Sequence, residues 1–161
     1  MEMKISKWAE ENGKRTHGQA GFRKDHSTIN HLVTLRVLME ESRLKGKGLY
    51  CCFVDFKKAF DMVPRENLWK RMKELQMPNE YMLAIFRIYE KVVCQVRMGD
   101  EISDFFTSTI GVKERCPLSP TLFGLLIDEL EHMILEFMQQ KSIEEVMIGN
   151  AVIIFCYMRM M

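Results

Sequence analysis

The apolar pattern of this chain predicts an α+β domain in which a small antiparallel sheet packs on helices. Several stretches repeat apolar residues at helical spacing, and two β-rich runs meet at Gly99-Asp100. A third run, "LYCCFVD" at residues 49–55, is apolar without alternation and predicts a strand buried on both faces. At 161 residues the chain has the length of one domain.

The elements follow in order. "ISKWAEEN" predicts a short helix ending near Gly13, and the Gly-, Lys- and Arg-rich stretch from Asn12 to Asp25 predicts a loop. Ser27 suits the N-cap of a helix running to about Arg43, with Ile29, Leu32, Val33 and Val37 on one side. "KGKG" breaks it before the strand. Pro64 fits the first turn of the next helix, whose apolar stripe is Leu68, Trp69, Met72 and Leu75. Pro78 stops that helix and Asn79 can cap another, with Met82, Ile85, Phe86 and Tyr89 in the i, i+3, i+4, i+7 pattern. "VCQVRMG" and "FFTSTIGV" predict a hairpin turning at Gly99-Asp100. Ser119-Pro120 predicts a helix start, with Leu122, Leu126, Leu130, Met133, Ile134 and Phe137 facing the core. "EEVMIGNAVIIF" predicts closing strands or a hairpin.

The net charge of +1 hides a division. Residues 1–50 carry ten Lys/Arg against six Asp/Glu, and residues 100–146 carry three against ten. The first half can face a polyanion, although solvated helix faces explain the same counts. Five cysteines, an odd number without a CxxC, predict reduced thiols in an intracellular protein, nuclear or cytoplasmic. The charged N-terminus is no signal peptide, so secretion is not expected. No apolar run reaches the roughly 18 residues of a membrane span.

Three stretches could carry chemistry. Asp55 ends the predicted strand, where a carboxylate can bind a divalent cation. One carboxylate rarely suffices, and a strand-end Asp more often caps the following turn. "GQAGFRKDHST", residues 18–28, offers glycines with Arg23 and Lys24 as phosphate donors, but it is not a P-loop. "GVKERCPLSPTLFGLLIDEL", residues 111–130, brings backbone amides to a helix start, a place for an anion or simply a rigid connector. His17, His26, His31 and His132 make no ligand set.

Taken together, "QAGFRKDHST", "CCFVDFKKAFDMVPRENLW" and "GVKERCPLSPTLFGLLIDEL" resemble, in order and spacing, the reverse transcriptase domain of non-LTR (LINE-type) retrotransposons. The resemblance implies part of a right-hand polymerase: a fingers segment over about residues 1–48, a palm segment over about 49–161, and no thumb. It implies RNA-templated DNA synthesis by nucleotidyl transfer with two Mg²⁺ ions, on an RNA template, a DNA primer and deoxynucleoside triphosphates. By this resemblance Asp55 is the catalytic aspartate and metal ligand, and Phe60 is the bulky residue beneath the incoming sugar. Arg23 belongs to the motif that contacts nucleotide and template, with Lys24 beside it. Pro117, Leu118, Ser119 and Pro120 belong to the segment that packs against nucleic acid.

The chain departs from that family in two places. Glu114 and Arg115 stand where the family has glutamine and glycine. Ile148, Gly149, Asn150 and Ala151 stand where it has Tyr-Ala-Asp-Asp, and no Asp-Asp pair occurs anywhere in the chain. Two Mg²⁺ ions would then meet Asp55 without its partner aspartates, so the expectation is weak metal binding and a decayed, catalytically dead copy. Three alternatives stand beside it: an active polymerase completed in trans, a non-catalytic nucleic-acid-binding fragment, and an unstable fragment with an exposed core.

Overall fold

The computed structural model describes residues 1–49, 51 and 53–141, together with the paired backbone of 147–148 and 151–152. The elements are α1 (Glu2–Glu11), α2 (Thr28–Leu44), α3 (Arg65–Glu74), α4 (Asn79–Tyr89), β1 (Val93–Cys94), β2 (Arg97–Met98), β3 (Glu101–Ile102), β4 (Phe106–Thr107), α5 (Leu118–Gln140), β5 (Met147–Ile148) and β6 (Ala151–Val152).

The helix boundaries follow local chemistry. Ser27 Oγ accepts the Ile29 amide at 3.1 Å and caps α2 as the sequence predicts. α1 and α2 each end on a glycine at positive φ, Gly13 and Gly46. The following amides, of Lys14 and Lys47, reach back to Ala9 O and Ser42 O. α3 ends the same way at Gln76, with φ of 58° and the Met77 amide on Met72 O, although its side chain is disfavoured there.

α1, α3, α4 and α5 enclose the core. Ile5 and Ala9 of α1, Leu68 and Met72 of α3, Ile85 and Tyr89 of α4, and Leu118, Leu122, Phe123 and Leu125 of α5 are buried together. Of the stripe predicted for α3, Leu68, Met72 and Leu75 are buried and Trp69 is half-buried against them. The stripe predicted for α5 is corrected: Leu125 rather than Leu126 is fully buried, and Met133 and Phe137 are exposed, since the buried residues of α5 all lie in its first half, from Leu118 to Asp128.

The predicted hairpin is present. β2 pairs antiparallel with β3, Met98 opposite Glu101, through Gly99 at positive φ. β1 pairs with β4 in a register one residue out of step, Cys94 opposite Phe106. The extra residue is absorbed around Ser103, whose hydroxyl accepts the Val96 amide at 2.9 Å and whose own amide donates to Val96 O. β5 and β6 form a third pair, Ile148 opposite Ala151, at the predicted closing hairpin. Gly149 and Asn150 lie outside the described residues.

Two expectations are corrected. The described part of 49–55 is not a strand, and Phe53 is 76% exposed beside an exposed Val54. A strand exists only through a partner ladder, and no described strand pairs with this segment. The α2 stripe of Ile29, Leu32, Val33 and Val37 is also exposed, since among the described residues no sheet lies over it. Only Leu38 of α2 is buried.

Candidate functional site

The three singled-out stretches converge on an aromatic hub. The Phe60 ring meets the Phe123 ring edge-on at 5.5 Å and the Phe22 ring at 6.4 Å, and Phe56 meets Phe123 at 6.3 Å. Each stretch contributes at least one phenylalanine: Phe22 from the first, Phe56 and Phe60 from the second, Phe123 from the third. The repeated phenylalanines are the available signal in the sequence, and the motif resemblance points only to Phe60.

Backbone bonds stitch the second stretch to the third. The Gly111 amide donates to Val63 O at 2.9 Å and the Val112 amide to Phe60 O at 2.8 Å. This approach requires glycine. Gly111 has φ of 84°, and a Cβ there would stand 2.6 Å from Asp61 O.

The loop that leads into the first stretch is fastened by charge. The Arg15 Nε donates to Asp128 Oδ2 of α5 at 2.7 Å, and Thr16 Oγ1 donates to Asp128 Oδ1 at 3.0 Å. Arg15 also donates to Gln19 Oε1. Gly124 leaves room for this cation, since a Cβ on it would lie 2.5 Å from Arg15 Nη2. Burial pushes the Asp128 carboxyl up and the Arg15 guanidinium down from their ordinary values, against their mutual attraction.

The structure places the predicted site residues unevenly. Asp55 is exposed, on the unpaired segment that leads into Phe56. Phe60 is half-buried in the hub. Arg23 does not present its guanidinium to solvent. It donates from Nε and Nη2 to Glu10 at 2.8 and 2.6 Å, and from Nη1 to Thr16 O and Gln19 O. Lys24 is exposed. Of the third stretch, Pro117 is exposed and Pro120 half-buried, but Leu118 and Ser119 are buried. Ser119 is not the helix cap either, because α5 begins at Leu118 and the Ser119 hydroxyl donates to Lys113 O at 2.6 Å. Of the expected nucleic-acid contacts, Leu118 lies in the core and Ser119 braces the loop.

Glu10 reports on the Arg23 fastening. The hydrogen bonds from Arg23 hold its carboxyl below the usual range, with burial opposing. A lowered folded pKa makes this stabilisation present above the unfolded value and lost as pH falls through the folded one. Amide exchange in residues 12–25 is expected to accelerate only in acid below the ordinary carboxylate range. Glu10→Gln is expected to show the same acceleration at neutral pH.

Non-glycine residues at positive φ concentrate in the same stretches: Phe22, Asp25, Lys58 and Arg115, with φ between 52° and 61°. Arg115 stands where the resemblance expects glycine, and the backbone there has the conformation glycine favours. Arg115→Gly is expected to raise stability by about 0.5–1 kcal/mol, the relief of left-handed strain less the added chain entropy, read by urea denaturation.

The metal expected from the resemblance does not fit the described side chains. Asp55 supplies one carboxylate, and no described group of three His, Cys, Asp or Glu residues could hold an ion. Of the two positions where the resemblance expects the partner aspartates, Asn150 lies outside the described residues, and Ala151 of β6 has no oxygen ligand on its side chain. Two clefts, of about 440 Å³ between α3 and α4 and about 370 Å³ between α3 and α5, are lined by neither Asp55 nor Phe60.

The chain is an α+β protein that gathers these three motifs at one hub. The profile of the family described as "Reverse transcriptase (RNA-dependent DNA polymerase)" matches residues 3–158, and the chain belongs to that family. Its relatives agree with the non-LTR resemblance. It is 30% identical over 94 residues to the "Retrovirus-related Pol polyprotein from type-1 retrotransposable element R2" of Nasonia vitripennis, covering 58% of this chain and 9% of that protein. It is 27% identical over 103 residues to the protein of the same description from Popillia japonica, covering 64% and 17%. It is 24% identical over 112 residues to the "Retrovirus-related Pol polyprotein from type-2 retrotransposable element R2DM" of Drosophila melanogaster, covering 70% and 11%. The matched part is thus less than a fifth of each relative's length. Among the described residues no helix is long and apolar enough to cross a membrane.

Proposed function

We propose that this chain is the fingers and palm portion of a right-hand reverse transcriptase, with fingers over about residues 1–48 and palm from about 49, and that it does not join nucleotides. The observation that carries the loss of activity is Asp55, an exposed carboxylate without the Asp-Asp pair that nucleotidyl transfer by two hard cations demands. Asn150 can lend a neutral oxygen but no charge, and losing one member of a coupled catalytic set removes most of the rate. Primer extension on an RNA template with deoxynucleoside triphosphates and Mg²⁺ tests this directly. No incorporation is expected, and detectable incorporation dependent on Asp55 refutes the reading.

A second reading, that the chain still binds nucleic acid, is favoured by the exposed cations beside the hub. Lys24, Lys57, Lys58, Lys113 and Arg115 are exposed on the loops that the hub and the Gly111–Val63 bond bring together. These cations suit a phosphate backbone of RNA template and DNA primer rather than particular bases. Fluorescence anisotropy of a labelled RNA–DNA hybrid should show affinity that falls log-linearly with salt, with a slope of roughly 0.9 per phosphate contacted on a duplex. Salt-independent binding, or none at low ionic strength, counts against it.

A further inference from the structure

We infer that Arg65 is the positioning residue of the 108–117 loop, a role that no motif reading of the chain assigns. Arg65 opens α3, yet its side chain turns away from that helix and gathers the loop between β4 and α5. Its Nε donates to Gly111 O at 2.8 Å, Nη1 to Ser108 O at 2.7 Å, and Nη2 to Ile110 O at 3.1 Å and Ser108 Oγ at 3.4 Å. Nη1 also reaches Tyr89 O at 3.5 Å, and the guanidinium carbon lies 5.3 Å from the Tyr89 ring centroid. One planar cation therefore satisfies the carbonyls of residues 108, 110 and 111. A lysine, with a single nitrogen, cannot span them.

The loop has other supports, and they fix different parts of it. The Tyr89 hydroxyl accepts the Lys113 amide at 3.3 Å, and Ser119 donates to Lys113 O. The amides of Gly111 and Val112 are taken by Val63 and Phe60. These bonds hold the amides of 111–113, whereas the carbonyls of Ser108 and Gly111 are taken by Arg65, and Ile110 O is shared between Arg65 and the Ser108 hydroxyl, which donates to it at 2.9 Å. Without Arg65 the loop keeps its amide bonds and the local Ser108 bond and loses the cation that ties its carbonyls to α3. The loop then slackens ahead of Lys113, so the segment that carries Lys113, Arg115 and Cys116 is held by fewer bonds while Val112 stays tied to Phe60 and the core keeps together.

The consequence for nucleic acid rests on the binding reading above. The donors of Arg65 are engaged by the protein, so it acts on a phosphate backbone only through where Lys113 and Arg115 stand.

The test uses the full 161-residue chain, with Arg65→Lys and Arg65→Gln. Cys116 is half-buried within the loop and serves as the reporter. Its alkylation by iodoacetamide, assigned by mass spectrometry, is followed with increasing low concentrations of urea. Both variants are expected to alkylate Cys116 roughly ten- to a hundredfold faster, the loss of one or two charge-assisted hydrogen bonds, at a rate nearly independent of urea. Urea independence marks local opening; a rate that climbs steeply with urea marks global unfolding and overturns the inference, as does an unchanged rate. In parallel, anisotropy with the labelled hybrid reads the salt slope. A slope reduced by about one to two contacts in Arg65→Lys supports the positioning of Lys113 and Arg115. An unchanged slope beside a wild type that binds refutes that consequence. A wild type that does not bind, with Cys116 released in the variants, defeats the binding reading and leaves the role of Arg65 in the loop standing.

Discussion

Asp128→Ala is expected to destabilise the chain by about 3–5 kcal/mol, because it strands a buried cation. The Arg15 side chain is 2% exposed and the Asp128 side chain 0%. Removing the carboxylate leaves the guanidinium with Gln19 but without its counter-charge, in a place water does not reach. Thr16 also loses its acceptor. A small domain is stable by only about 5–15 kcal/mol, so this change takes a large share. Replacing both partners separates the terms. Arg15→Met with Asp128→Leu removes the pair and its desolvation together, and is expected to lie much closer to the parent than the single change. Urea unfolding followed by far-ultraviolet circular dichroism measures both. A single variant within 0.5 kcal/mol of the parent, a surface-sized effect, shows that the pair is not sealed from water.

Gly111→Ala is expected to cost about 2–5 kcal/mol, from left-handed strain of about 1–2 and overpacking of about 1–3. The added methyl would meet backbone, Asp61 O at 2.6 Å and Asp61 C at 3.0 Å, rather than a side chain able to swing aside. Relief would need the 60–63 segment to withdraw, and that breaks the bonds from Gly111 to Val63 and from Val112 to Phe60. The damage should therefore appear at the hub as well as in the unfolding midpoint. Nuclear magnetic resonance of the aromatic side chains is expected to show Phe60 losing the shifts that Phe123 imposes on it. Gly99→Ala serves as the comparison, since it also has positive φ but its Cβ would meet nothing within 4 Å. Equal costs for the two would mean that strain alone matters and that the close approach does not.

Much of the local structure was legible in the residues. Ser27 announced a cap because a hydroxyl before an apolar-periodic run has a nearby amide to accept. Gly99-Asp100 announced a turn because glycine meets the positive φ that a two-residue connection needs. The candidate site was legible in pieces. Its three stretches could be picked out, but not the aromatic contacts of Phe22, Phe56 and Phe123 with one another's neighbourhoods. Arg23 shows the limit: its composition suits phosphate, and its neighbours Glu10, Thr16 and Gln19 take its donors instead.

By itself the sequence determined the helices, the hairpin turn and the absence of an Asp-Asp pair, since periodicity, turn chemistry and residue identity act within a few positions of the chain. Tertiary structure alone decided that Arg15 meets Asp128 across 113 residues, that α5 buries its first half, and that, among the described residues, α2 leaves its apolar stripe uncovered and residues 53–56 run without a partner strand. Burial, ladder pairing and desolvated charge each require a second surface, and which surface arrives is settled only when distant segments compete for the same core.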